Sequence, residues 1–241
     1  QMVDALQLGG STVAMTGDGV NDVLALKNAD LGIAMGNGSG ATRAVAQLVL
    51  LDSKWSVLPT VVAEGRRVLG NIERVSDVFL TKSVYSTVIS VLTGVFAVVF
   101  PFLPRHLSLV SALTIGIPGF FLALMPNKER FRPGFFRRVL AFAIPAGIIA
   151  AASAWTSYAV ALWVSEPVLN AQKAATVSLF IVATGVLAIS ARPLNLVRWG
   201  IIGLMVVSFA AVIYIPPLSE FFALSLSPEP YSLVAIAVGL V

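Results

Sequence analysis

From Val78 onward the chain is a succession of apolar runs, at about residues 78–100, 107–126, 139–164, 174–191, 196–215 and 231–241. The first five are long enough to cross ~30 Å of hydrocarbon at ~1.5 Å per residue, and the sixth is shorter. The acidic residues avoid this region. Eight of the twelve lie at or before Asp77, and only Glu129, Glu166, Glu220 and Glu229 follow. Charged residues make up 12% of the chain, about half the usual share for a soluble domain. The sequence therefore divides into a soluble piece, a polar helical stretch and a multi-pass helical membrane piece, set at 1–56, 57–77 and 78–241.

The basic residues fix an orientation. Lys128, Arg130, Arg132, Arg137 and Arg138 fall in one connection, and Arg192 and Arg198 in the next but one. Both lie on the side that holds Arg66, Arg67, Arg74 and the soluble piece, which makes that side cytoplasmic and the protein a component of the cell membrane. The net charge of +4 is thus explained by topology, and no nucleic-acid partner is expected. The chain has no cysteine, which excludes disulfides, thiolate metal sites and cysteine nucleophiles. It opens on Gln1 in a helix-like stretch and stops inside an apolar run, and so reads as an internal piece of a longer protein.

Ahead of the membrane the pattern changes. Residues 2–8 suggest the end of a helix closed by Gly9-Gly10. Thr12–Thr16, Leu31–Met35 and Leu48–Leu51 read as strands, with helices over Val20–Asn28 and Ala41–Gln47 between them. Such alternation implies a parallel sheet of an α/β, Rossmann-like domain, with too few strands to stand alone. Val57–Val75 reads as a helix that nothing stops before Val78, a stalk running from the soluble piece into the bilayer. Gly36–Gly40 is read as a turn at a strand end.

The chemistry concentrates in Thr16-Gly17-Asp18-Gly19-Val20-Asn21-Asp22. A loop between strand and helix is where α/β folds place their sites. Glycines let the backbone approach a ligand closely, and carboxylate and carboxamide oxygens suit Mg²⁺ and the phosphate it neutralises. Similar loops occur in haloacid-dehalogenase phosphatases. With Ala25-Leu26, Ala29-Asp30, Gly32-Ile33-Ala34-Met35-Gly36, Glu64-Gly65-Arg66 and Asn71-Ile72 also present, the chain resembles the cation-translocating P-type ATPases.

That resemblance implies a partial haloacid-dehalogenase-like domain followed by membrane helices five to ten. By motif, Asp18 would ligate Mg²⁺, Asn21 would bond the phosphoryl group, and Asp22 would hold the loop and a neighbouring lysine. Thr16, Gly17 and Gly19 would shape the loop. The implied partners are ATP, the transported cation, the lipid bilayer and the remainder of the pump. The family's phosphorylated run, Asp-Lys-Thr-Gly-Thr, does not occur here, so this chain by itself is expected to be inactive.

In calcium pumps helix five supplies an Asn and a Glu, and helix six an Asn followed by Thr-Asp ahead of a Pro. Counting from Gly65-Arg66 places Ser83 and Ser86 at the first pair, and Ser111, Thr114 and Ile115 at the second set, with Pro118 retained. Pro118 is either a functional break that frees carbonyls for a cation or a packing kink. Lys82 is either an internal counter-charge or a side chain snorkelling to the interface. The favoured cations are Ca²⁺ and Mg²⁺. A phosphatase on a membrane anchor and a non-catalytic pump-associated piece are the other readings. His106, in a Pro-rich outer connection, reads as a surface loop residue.

Overall fold

The computed structural model describes residues 2–125, 133–164 and 166–225. The sixth apolar run, 231–241, and part of the basic connection lie outside the described residues. The chain forms two compact units, Gln1–Gly65 and Arg66–Val241.

The first unit is a three-stranded parallel sheet in the order β1 (Ala14–Gly17), β2 (Leu31–Met35), β3 (Leu48–Leu50). Register pairs Gly17 with Ala34 and Met35 with Leu50, which brings the carboxyl ends of all three strands to one edge. Helices α1 (Met2–Leu8), α2 (Val23–Asn28) and α3 (Gly40–Val45) belong to the same unit. β2 is the middle strand, and Gly32, Ile33 and Ala34 are buried in it. Leu26 of α2 packs at this core and is fully enclosed. Gly32 permits that approach, since a Cβ there would lie 2.5 Å from the Leu26 carbonyl. The expected strands and helices are present with small shifts. β1 begins at Ala14 rather than Thr12, and a single 3₁₀ turn, Val20–Asp22, precedes α2.

Asp30 ties α1 and β1 to the turn before β2. Its carboxylate accepts from the Val13 amide at 2.8 Å and from Gln7 Nε2 at 3.2 Å. The Val13 amide first, and Gln7 second, hold the Asp30 carboxyl below the ordinary aspartate value of 3.8. A depressed acid stabilises the fold in its charged form, fully above that ordinary value, and loses the contribution as pH falls below it. Asp30→Ala is therefore expected to speed hydrogen exchange at the Val13 amide at neutral pH. The gap from wild type should close as pH drops through and below 3.8. A gap unchanged by pH would show that the charge is irrelevant.

The second unit is helical. α4 spans Leu58–Phe96, continuous as the absence of stop signals predicts, and carries residues of both units. α5 (Pro104–Ser111) and α6 (Ile117–Leu124) form one span interrupted by a π-helical stretch, Ala112–Gly116. α7 (Phe135–Trp163), α8 (Val168–Ser190) and α9 (Leu196–Tyr214) follow, and then the short α10 (Pro216–Phe222). Five of these helical stretches are long and apolar enough to cross a membrane. α8 is the most enclosed, with 67% of its apolar window buried against 22% for α4. Its Ala171, Ala174 and Ala175 and α7's Ala150, Ala151 and Ala154 are buried together in one core. Small residues let two helices approach closely where lipid offers no hydrophobic drive. Ser153 of α7 and Ser178 of α8 share a hydrogen bond at 2.6 Å, and Phe180 stacks on Phe209 of α9 at 3.8 Å.

Near one end of the bundle, polar side chains on α4 bind its neighbours. Asn71 Nδ2 donates to the carbonyls of Ala123 at 2.8 Å and Met125 at 3.0 Å. Glu73 receives two bonds from the Arg138 guanidinium of α7, at 2.8 and 2.9 Å. Arg74 donates to the Arg192 carbonyl at 3.3 Å.

His106 departs from expectation. It is fully buried, not a surface loop residue. Pro104 sits at the first turn of α5, where its missing N–H costs nothing, and so places His106 inside a helix. There its Nδ1 lies 3.0 Å from Thr176 Oγ1 of α8. The Pro-rich composition of the connection concealed a helix start.

Candidate functional site

Asp18 follows the last residue of β1, at the edge where all three strands end. Its side chain and that of Asn21 are exposed. Among the described residues, neither side chain is engaged in a hydrogen bond or ion pair. Asp22 behaves differently. It is half-buried, and its Oδ2 turns back to accept from the Gly19 amide at 3.2 Å. Two carboxylates four residues apart thus have separate environments. One faces outward with its lone pairs uncommitted, and the other closes the loop on itself.

Gly17 is what allows that closure. A Cβ at Gly17 would lie 2.5 Å from Asp22 Cβ and 2.6 Å from its Oδ2. Any side chain there would displace Asp22 from the loop. Thr16 pairs with Ile33 inside the sheet, which fixes the strand that carries the loop.

Sequence reasoning missed the partners on the opposite side. The Ser39 amide donates to the Asp18 carbonyl at 2.8 Å. Thr42, fully buried on α3, places its hydroxyl 3.4 Å from the same carbonyl. Gly38 lies so close that a Cβ there would stand 2.9 Å from that carbonyl oxygen and 3.0 Å from Asp18 Cα. The only local signal was the Ser39-x-x-Thr42 spacing of a helix cap, which Ser39 Oγ forms with the Thr42 amide at 3.1 Å. The turn after β2 is fixed in its own right, by Gly36 N to the Leu50 carbonyl at 2.8 Å and by Ser53 Oγ to Asn37 Oδ1 at 2.7 Å.

Mg²⁺ favours hard oxygen ligands and is commonly bound by one or two carboxylates plus waters and substrate phosphate. An exposed, uncommitted carboxylate beside an exposed carboxamide suits that demand. No group of three or more His, Cys, Asp or Glu gathers among the described residues. An ion held at Asp18 would therefore take its other ligands from water and a bound ligand.

The membrane residues singled out by counting fall into two groups. Thr114 is buried in the π-helical stretch, its hydroxyl on the Val110 carbonyl at 2.7 Å, and Pro118 is buried just beyond. Ser111 Oγ is buried and, among the described residues, has no hydrogen-bond partner. Pro118 brings no N–H, so the preceding turn loses a ladder bond at the break. Thr114 and Ile115 line a small cleft with Arg74 and Val78 of α4 and Leu187 of α8. Ser83 is not brought to that cleft. It is exposed and back-bonds to the Phe79 carbonyl at 3.2 Å, while the buried face of α4 presents Val78, Thr81, Tyr85 and Ile89. Lys82 and Ser86 are half-buried.

A parallel three-stranded sheet that carries an acidic loop at its carboxyl edge, joined to membrane-length helices, defines a haloacid-dehalogenase-like domain on a multi-pass membrane protein. Residues 1–56 match the family model of haloacid dehalogenase-like hydrolases. The chain is 46% identical to the calcium-transporting ATPase CtpE of Mycolicibacterium smegmatis, over 99% of this chain and 32% of that protein. It is 44% identical to the protein of the same name in Mycobacterium tuberculosis, over 100% of this chain and 32% of the relative. A probable cation-transporting ATPase, exp7, of Streptococcus pneumoniae is 36% identical over 61% of this chain and 20% of the relative. The chain is thus similar along its whole length to transporting ATPases of this kind, and it spans about a third of the length of the first of these relatives (32%).

Proposed function

We propose that this chain is the carboxy-terminal part of an ATP-driven calcium pump of the cell membrane, with its soluble unit on the cytoplasmic side. The observation that carries the reading is the uncommitted Asp18 carboxylate at the carboxyl edge of the sheet, in a chain that continues into five membrane-length helices. Calcium is favoured over magnesium as the transported ion by the names of the relatives, not by any carboxylate of the membrane helices.

In the intact protein, Asp18 would hold a Mg²⁺ ion. When bound, that ion supplies positive charge against the oxygens of a phosphoryl group. The chain's own residues do the positioning. Asn21 presents a carboxamide that can donate to a phosphoryl oxygen beside the same loop. Asp22 keeps the Gly19 turn closed, so the donors are ordered before the ligand arrives. Such preorganised electrostatics are the main means of catalysing phosphoryl transfer. The nucleophilic aspartate would come from sequence outside this chain, and this chain alone is inactive.

For the cation, the π-helical break with Pro118 offers hydroxyl and carbonyl oxygens at Ser111 and Thr114. α4 would carry motion from the phosphorylated unit to the membrane helices. The test is a scan of cations against ATPase stimulation and vesicle uptake by the purified full-length protein. Calcium is expected to stimulate Mg²⁺-dependent hydrolysis and to accumulate. Uptake of a different cation alone would overturn the ion assignment, and absence of any cation-stimulated hydrolysis would overturn the pump.

A further inference from the structure

The Asp18 side chain is exposed and unbraced, so its position depends on its backbone. That backbone is clasped from the neighbouring loop. We infer that Ser39 and Thr42, with Gly38 beneath them, are positioning residues that aim the Asp18 carboxylate; the inference rests on the Mg²⁺-holding role proposed for Asp18.

Three observations converge on one carbonyl. The Ser39 amide donates to Asp18 O at 2.8 Å. Thr42 Oγ1 stands 3.4 Å from the same atom. Gly38 packs against Asp18 Cα with no room for a Cβ. The clasp is itself held together. The Thr42 hydroxyl also meets the Ser39 carbonyl at 2.8 Å and Ser39 Oγ at 3.0 Å. A hydroxyl has one proton to give. Its shortest contact takes that proton, so the Ser39 amide is the main bond to Asp18 and Thr42 locks Ser39 in place. Thr42 is fully buried, so water does not compete for these bonds.

The loop is thus gripped on both flanks. On the far side Asp22 holds Gly19, and on the near side the clasp holds Asp18. Without the clasp, Asp18 would still be present and folded, but a metal ion would have to order it on binding. Positions left to be ordered by the ligand weaken its binding by the cost of that ordering.

The test uses the full-length protein. Thr42→Val keeps the side-chain volume and removes the hydroxyl. Hydrogen exchange at residues 17–22 is expected to accelerate, and binding of Mn²⁺ alone, read by its electron spin resonance signal, to weaken about three- to tenfold, the loss of about one hydrogen bond. Thr42→Ser should restore both. Should Thr42→Val fail to fold, Gly38→Ala with the same readouts carries the test. Wild-type Mn²⁺ affinity in a folded clasp variant overturns the inference, whatever the exchange shows. If Asp18→Ala also leaves Mn²⁺ affinity untouched, it is the metal-holding role that fails; if only the clasp variants are silent, the clasp fails alone.

Discussion

Asp18→Ala in the full-length protein is expected to reduce cation-stimulated ATP hydrolysis by at least about a hundredfold, while the melting temperature stays at the wild-type value. The size follows from the role. A charged group aimed at a transferring phosphoryl centre, in a preordered site, typically contributes two to three orders of magnitude in rate, on the order of 3–4 kcal/mol. The unchanged stability follows from the environment. The Asp18 side chain is exposed and makes no bond within the described residues, so its removal leaves no partner unsatisfied. Its bonded atom is the backbone carbonyl, which alanine retains. Asp22→Ala should behave in the opposite sense. It frees the Gly19 amide and the space beside Gly17, loosening the loop before chemistry begins. Steady-state hydrolysis measured alongside thermal unfolding separates the two. Normal turnover in Asp18→Ala would remove the basis for reading this loop as the catalytic half-site.

The contrast between these neighbouring acids was only partly legible in the sequence. Glycines and acids between a strand and a helix mark a site, because local chemistry dictates that turn. Which acid faces outward is set by Gly17 and Gly19, whose contacts with Asp22 are short-range and could be argued from spacing. The clasp could not. Ser39 and Thr42 meet Asp18 because the parallel register of β1 and β2 brings the two loops side by side, a consequence of tertiary pairing across about twenty residues. The membrane half shows the same division. The places of the first five spans follow from apolar length alone. The buried face of α4 does not, because a helix meeting lipid on one side and protein on the other is apolar all round. Counting along such a helix located Ser83 by position, but the chain turns it outward. The π-helical stretch before Pro118 was foreshadowed only by the proline and its two flanking glycines, and His106 was hidden by prolines that start a helix as readily as they end one.

Gly147→Ala is expected to destabilise the membrane unit by about 1–3 kcal/mol, the usual cost of forcing one extra carbon into a packed contact. Gly147 lies in α7, two residues after Pro145, where that helix crosses α4. A Cβ there would meet Val84 Cβ at 2.5 Å, Val84 Cγ1 at 2.6 Å and the Thr81 carbonyl at 3.0 Å. A side-chain tip could rotate aside, but a β-branched Cβ and a backbone carbonyl move only with their helix. α7 and α4 must therefore separate at that crossing. The Glu73–Arg138 pair joins the same two helices, but it is about a third exposed, so it offers little to offset the loss. Gly94→Ala and Gly185→Ala are the controls. Among the described residues neither site has a foreign atom within 4 Å, and alanine is the better helix former, so both should be neutral or slightly stabilising. The measurement is thermal inactivation of the detergent-solubilised full-length protein. If all three variants unfold together with wild type, α4 and α7 do not touch at Gly147. If Gly147→Ala alone falls, the close crossing is what fixes α4 against the bundle, and the buried face it presents, Val78, Thr81, Tyr85 and Ile89, is set by that contact.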